Sequence, residues 1–176
     1  MIAEATMDWI ILAGFGLSAM GAASTGAVYK PGRWYEGLSK PGWTPPNWLF
    51  PLAWLVLYIL IVVSGWRIAS MLAFGGLSAE IAPFAVAGLA FWAAQMTLNA
   101  LWSPLFFGIR RPAAALVCLV GMWLAIVATL LCFAMVDLTT GLMLVPYLIW
   151  VSYAGALNLS ILRRNGSENW GLPGLA

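Results

Sequence analysis

Five stretches of this chain run for about 20 residues or more without a charged side chain, and that is the length a helix needs to cross about 30 Å of hydrocarbon. A backbone in lipid must satisfy its own N–H and C=O groups, so such stretches fold as helices. The predicted spans are residues 9–29, 47–66, 83–107, 112–136 and 139–162. The composition agrees: 63% of the residues are hydrophobic and 8% charged, with a mean hydropathy of +0.93, whereas soluble domains carry about 25% charged residues. The expected fold is an all-α membrane protein, one five-helix bundle over residues 1–176, with no internal repeat and no soluble domain.

The longest connection, residues 30–46, KPGRWYEGLSKPGWTPP, holds four of the ten prolines and three glycines. That is turn chemistry, and it predicts a long loop between the first two spans. Residues 165–176 are polar and glycine-rich and read as a frayed tail. The N-terminus carries Glu4 and Asp8 in place of a basic region, so no removable signal peptide is expected.

Lys30, Arg33, Lys40, Arg110, Arg111, Arg163 and Arg164 fall on one side of this map and Arg67 alone on the other. The positive-inside rule then puts the lid loop and C-terminus in the cytoplasm and the N-terminus outside, with a bacterial outer membrane as the alternative location. Eight basic residues against six acidic ones are too sparse for a nucleic-acid surface. Cys118 and Cys132 stand fourteen residues apart in one span, about 21 Å along a helix, too far for a disulfide.

Chemistry is bounded mainly by what is missing. The chain has no histidine, and Glu4, Asp8, Glu36, Glu80, Asp137 and Glu168 all map to termini or loops. Proton relays and ion pumps use ionisable groups at membrane depth, neither a Ser-His-Asp triad nor a glycosidase-like carboxylate pair can be assembled, and without histidine, the commonest metal ligand, no metal site is expected. The spans offer aromatics and neutral amides instead. Trp54 and Tyr58 share a face of the second span, Gln95, Asn99 and Trp102 a face of the third, and Tyr147, Trp150, Ala154 and Asn158 a face of the fifth. Buried amides demand partners, and two readings stay open: interhelical hydrogen bonding, or an aromatic-walled pocket for a flat apolar ligand. Trp9, Trp66 and Trp123 read as interfacial or lipid-facing residues. Ala87, Gly88, Ala90 and Ala94 form a small-residue face that suits either a homodimer seam or packing on the fourth span.

Three segments carry a resemblance: WYEGLSKPGWTPPNWLFPLAW (34–54), AQMTLNALWSPLFFG (94–108) and VPYLIWVSYAGALN (145–158). They resemble the signature segments of the TspO/MBR translocator protein family, the peripheral-type benzodiazepine receptor in animals, and the chain reads as a bacterial member. The resemblance covers residues 9–164. It implies five packed helices with the first loop lidding a pocket, and a ligand class of porphyrins such as protoporphyrin IX and haem, with no cofactor required. It implies that Trp34 and Tyr35 lie over the pocket, that Trp54, Asn99, Tyr147 and Trp150 line it, and that Ala154 is a small residue whose enlargement alters binding. Lys30, Arg33 and Lys40 would meet the porphyrin propionates. The sterol motif of animal members needs a Tyr where Leu157, Asn158, Leu159 and Ser160 precede Arg163, so sterol binding by that route is not expected. A tetrapyrrole binder acting as sensor, regulator or transporter is the leading expectation. The alternatives are a light-dependent porphyrin-degrading enzyme using Trp54 and Trp150, and a scaffold acting through partners.

Overall fold

A computed structural model describes residues 2–166. Among the described residues there is helix and no strand: α1 (Ile2–Val28), α2 (Arg33–Glu36), α3 (Leu49–Ala73), α4 (Ala82–Ser103), α5 (Pro112–Val136), α6 (Leu138–Leu142) and α7 (Val145–Asn165). A π-helical turn, Pro104–Gly108, prolongs α4, and α6 leads into α7, so five spans are long and apolar enough to cross a membrane. The five-helix expectation therefore holds, but several boundaries move.

The first helix begins at Ile2, so Glu4 and Asp8 lie within it and not before it. Asp8 is accommodated because its Oδ1 accepts from Trp66 Nε1 at 2.8 Å and from Ser70 Oγ at 2.5 Å, both on α3. Helix α3 in turn runs past Trp66 to Ala73 and carries Arg67 inside it. Arg67 donates from Nε to Thr140 Oγ1 (2.9 Å) and from Nη2 to Asp137 Oδ2 (3.2 Å). Asp8 and Arg67, the charges set deepest in the lengthened spans, are thus each bonded to a neighbouring element.

Two prolines shape the other spans. Pro104 offers no N–H to Ala100, and the turn loosens so that Ile109 N–H reaches back to Pro104 O at 2.9 Å. Arg110 at φ 56° then reverses the chain into α5. Pro146 would clash with the carbonyl of Leu142, so the predicted fifth span breaks into α6 and α7.

Lipid tails are as apolar as leucine, so these helices associate through close packing and not through hydrophobic exclusion. The outer surface is accordingly covered by residues such as Leu17, Val117 and Ile149, while Ile61, Ile68, Ala85, Ile126 and Phe133 are fully buried. Helix α4 packs most extensively on α5. A Cβ on Gly88 would stand 2.6 Å from the Phe133 ring, and one on Gly141 would stand 2.7 Å from the Ala134 backbone. Gly88 therefore faces the fourth span, while Ala90 and Ala94 face outward. Trp9 is 70% exposed, as a lipid-facing residue should be. Trp66 and Trp123 are instead half-buried donors to Asp8 and to Ser152 Oγ.

The lid is pinned to the bundle. Tyr35 and Leu38 pack with Phe106, Ala115, Leu157 and Ile161. Ser39 N–H donates to Asn165 Oδ1 (2.8 Å), Asn165 Nδ2 donates back to Ser39 O (3.0 Å), and Tyr153 OH donates to Trp43 O (2.6 Å). Asn165 is therefore a helix-terminal clasp and not the start of a frayed tail, and the rest of that tail, with Glu168, lies outside the described residues.

At the far end Thr140 dominates Asp137: its hydroxyl, then its backbone N–H, hold the carboxyl below the usual carboxylate range with help from Arg67, against the upward push of burial. A carboxyl depressed on folding contributes stability above its unfolded pKa of about 3.9, and that stability fades as pH falls through the folded value. Asp137→Asn is expected to lower the melting temperature in detergent at pH 7, with the deficit shrinking as pH falls below about 4. A deficit independent of pH would reject this role.

Candidate functional site

Between α1, α3, α4, α5 and α7, beneath the lid, lies a cavity of about 750 Å³, within the range of about 300–1,000 Å³ usual for small-molecule sites. Its walls follow from helical spacing. Trp54 and Tyr58, one turn apart on α3, set their rings 5.3 Å from each other, and Trp54 meets Tyr147 edge-on at 6.1 Å. Trp150 of α7 meets Phe50 at 5.7 Å, and Trp102 stacks on Phe106 at 5.2 Å and 23°. Ala22, Ala23 and Gly26 of α1 complete the wall with side chains too small to fill the space.

The deeper end of this wall is polar and closed on itself. Tyr58 OH donates to Asn99 Oδ1 (2.8 Å), Asn99 Nδ2 donates to Tyr147 OH (3.0 Å), and Tyr147 OH donates to Gln95 Oε1 (2.8 Å). The chain ties α3, α4 and α7 together. The first reading of the amides, hydrogen bonding between helices, is what the structure shows, and Asn99 and Tyr58 also line the cavity.

Of the residues singled out in the sequence, Tyr35, Trp54, Tyr58, Asn99, Trp102, Trp150 and Ala154 line the cavity. Gln95 and Tyr147 do not: they are 1% and 0% exposed and stand behind the wall. The stripe on α4 is continuous, but the cavity occupies only the lid half of the bundle, so the deeper members of each stripe run into the core. Trp34 is not a lining residue either. It packs on Phe106 at 5.9 Å and under Arg110, whose guanidinium stands 6.0 Å from the ring centre. Phe106 and Phe107 also line the site; Phe106, four residues after Trp102, continues the face of Gln95, Asn99 and Trp102 past Pro104, whereas Phe107 is off that face by helical spacing and lies in the π turn.

The electrostatics are simpler than expected. Of the three lid cations only Lys30 lines the cavity. Lys40 is turned away, donating from Nζ to Tyr35 O (2.7 Å) and Glu36 O (3.2 Å) with the Tyr35 ring beneath it. Burial first, and the neighbouring Tyr153 second, push the Tyr35 hydroxyl above its ordinary pKa, so this lining hydroxyl stays un-ionised at physiological pH. Among the described residues no carboxylate lines the cavity and no cluster of three His, Cys, Asp or Glu side chains exists to hold a metal. The arrangement suits a flat apolar ligand carrying polar groups at the lid end; it contains no acid–base pair.

The family model described as TspO/MBR matches residues 9–164. Among curated proteins, protein CrtK of Rhodobacter capsulatus is 51% identical over 147 residues, covering 84% of this chain and 88% of its own. The tryptophan-rich sensory protein of Cereibacter sphaeroides is 43% identical over 168 residues, 95% and 96% of the two chains. The translocator protein of Bos taurus is 36% identical over 160 residues, 89% and 91% of the two chains.

Tyr147→Phe removes a hydroxyl that both accepts and donates while keeping the ring. It is expected to destabilise the bundle by about 1–2 kcal/mol in reversible unfolding. Wild-type stability would show that the chain Tyr58–Asn99–Tyr147–Gln95 does not hold the wall.

Proposed function

The chain belongs to the TspO/MBR family of multi-pass membrane proteins, and on that premise we propose that it is a membrane receptor for tetrapyrroles, acting as their sensor or transporter. The observation that carries the reading is the cavity itself: about 750 Å³ enclosed by Trp54, Trp102, Trp150, Phe106 and Phe107, with Lys30 at its lid end. A porphyrin is an apolar plate with two carboxylates on one edge. Indole and phenyl faces stack on such a plate, and an ammonium group at the lid end meets an anionic edge. The two names printed for its relatives, sensory protein and translocator protein, are in keeping with a role in sensing or moving a ligand.

The chain has no histidine to occupy the axial position of an iron porphyrin. The plate is then held by its faces and edge, and metal-free protoporphyrin IX is preferred over haem. A second reading, light-driven oxidation of bound porphyrin by O₂, is favoured by one observation: the oxidisable indoles of Trp54 and Trp150 both line the cavity.

Titrating the purified protein with protoporphyrin IX, followed by quenching of tryptophan fluorescence, is expected to saturate at one porphyrin per chain. Trp54→Ala should weaken binding about tenfold, the value of one aromatic face. Binding that does not saturate, or haem bound much more tightly than the free base, would reject the proposal. Illuminating the complex separates the second reading: bleaching of the Soret band no faster than in detergent alone removes it.

By charge the lid and C-terminus face the cytoplasm and the N-terminus the outside, and the outward small face at Ala90 and Ala94 suits a homodimer. Impermeant thiol labelling of Ser39→Cys in whole cells should fail, and Ala90→Leu should halve the mass in detergent. Labelling from outside, or an unchanged mass, would reject each in turn.

A further inference from the structure

Buried polar atoms in proteins are nearly always paired, and the deep half of this cavity obeys the rule through Tyr58, Asn99, Tyr147 and Gln95. The lid half does not. Two buried side-chain atoms there have no hydrogen-bond partner, the indole Nε1 of Trp102 and the amide Oδ1 of Asn158, and both residues line the cavity. Asn158 is 1% exposed. Its Nδ2 donates to Pro112 O at 2.9 Å, which fixes the amide and leaves the oxygen as the unpaired end. Trp102 packs against the cluster through which Tyr35 and Leu38 close the lid, and the Asn158 amide is tied to Pro112 at the start of α5, the same end of the bundle.

The pair consists of one N–H donor and one oxygen acceptor. A carboxylate would accept from Trp102 but bring no proton to Asn158. A metal ion would suit Asn158 but not the indole. A neutral oxygen group carrying its own proton, an un-ionised carboxylic acid or a hydroxyl, satisfies both at once.

We propose that Trp102 and Asn158 form a polar subsite for an un-ionised carboxyl group of the ligand. This rests on the tetrapyrrole reading and deepens it. Of the two acid groups on one porphyrin edge, one stays ionised beside Lys30, and the other is bound neutral between the indole N–H and the amide oxygen. Lys30, Trp102 and Asn158 all lie at the lid end, as two acids on a single edge require.

The test compares protoporphyrin IX with its dimethyl ester, which keeps the carbonyl acceptors but has no O–H, on the full-length protein in detergent. Wild type should prefer the acid, and Asn158→Leu should cut the acid-to-ester affinity ratio about tenfold, the penalty for one unmatched buried acceptor. The Lys30 contribution is common to both proteins and cancels in this comparison. Trp102→Phe should weaken acid and ester by the same factor, because both still offer a carbonyl to the indole. Asn158→Leu also gives up the bond to Pro112, and if it fails to fold, Trp102→Phe, which breaks no internal hydrogen bond, decides. An unchanged ratio in Asn158→Leu, or wild-type affinities in Trp102→Phe, would overturn the subsite while porphyrin binding stands. Absence of saturable binding of either compound to wild type would overturn the tetrapyrrole reading and the subsite with it.

Discussion

In hydrocarbon a polar group has only the protein to bond with, and the architecture of this bundle follows from that constraint. Asp8 on α1 is tolerated because Trp66 and Ser70 of α3 face it, and Arg67 because Asp137 and Thr140 face it from the start of α6. Nearer the lid the same requirement is met by neutral groups, the chain from Tyr58 through Asn99 and Tyr147 to Gln95. Each set joins helices distant in sequence. Because greasy surfaces give no preference for one helix neighbour over another in lipid, these directional bonds select which helices meet and in what register.

Steric fit completes the selection. Gly65 lies under Phe15 and Trp92, Gly88 under Phe133 and Gly141 against the Ala134 backbone, each at a distance a methyl group would violate. The small residues of α1 act differently at the lid end. Ala22, Ala23 and Gly26 stand opposite Trp54, Trp102 and Trp150, and space remains where larger side chains would have filled it. The bundle is therefore dense at the end away from the lid and hollow beneath it, so a ligand would be held between rigid aromatic faces and a roof clasped by Asn165 and Tyr153.

Much of this was readable from residue order alone. The shared faces of Trp54 and Tyr58, of Asn99 and Trp102, and of Trp150 and Ala154 followed from turns of 3.6 residues, the family resemblance made them the wall of a pocket, and all six line the cavity. The failures have local causes. Gln95 and Tyr147 share those faces but lie too deep, since periodicity reports direction and not depth. Phe106 continues the face of Asn99 and Trp102 and was passed over because the stripe was ended before Pro104, Phe107 is off that face and lies in the π turn, and Trp34 belongs to a loop that has no period to read. Arg67 was placed beyond its helix because a charge usually ends a span, and only its partners on α6 show why this one does not.

The sequence by itself determined the solvent, the five spans, the long turn-rich first loop, the clustering of cations at one end and the aromatic and amide faces of the helices, because each is set by hydropathy or by spacing along one segment. The tertiary structure decided which polar atoms are paired and which are left over. It turned Lys40 to the lid's own carbonyls and left Lys30 at the cavity, closed Asn165 onto Ser39, and left the Trp102 indole and the Asn158 oxygen without partners. Hydrogen bonding is a relation between atoms on different helices, and the distance between two helices is not written in either of them.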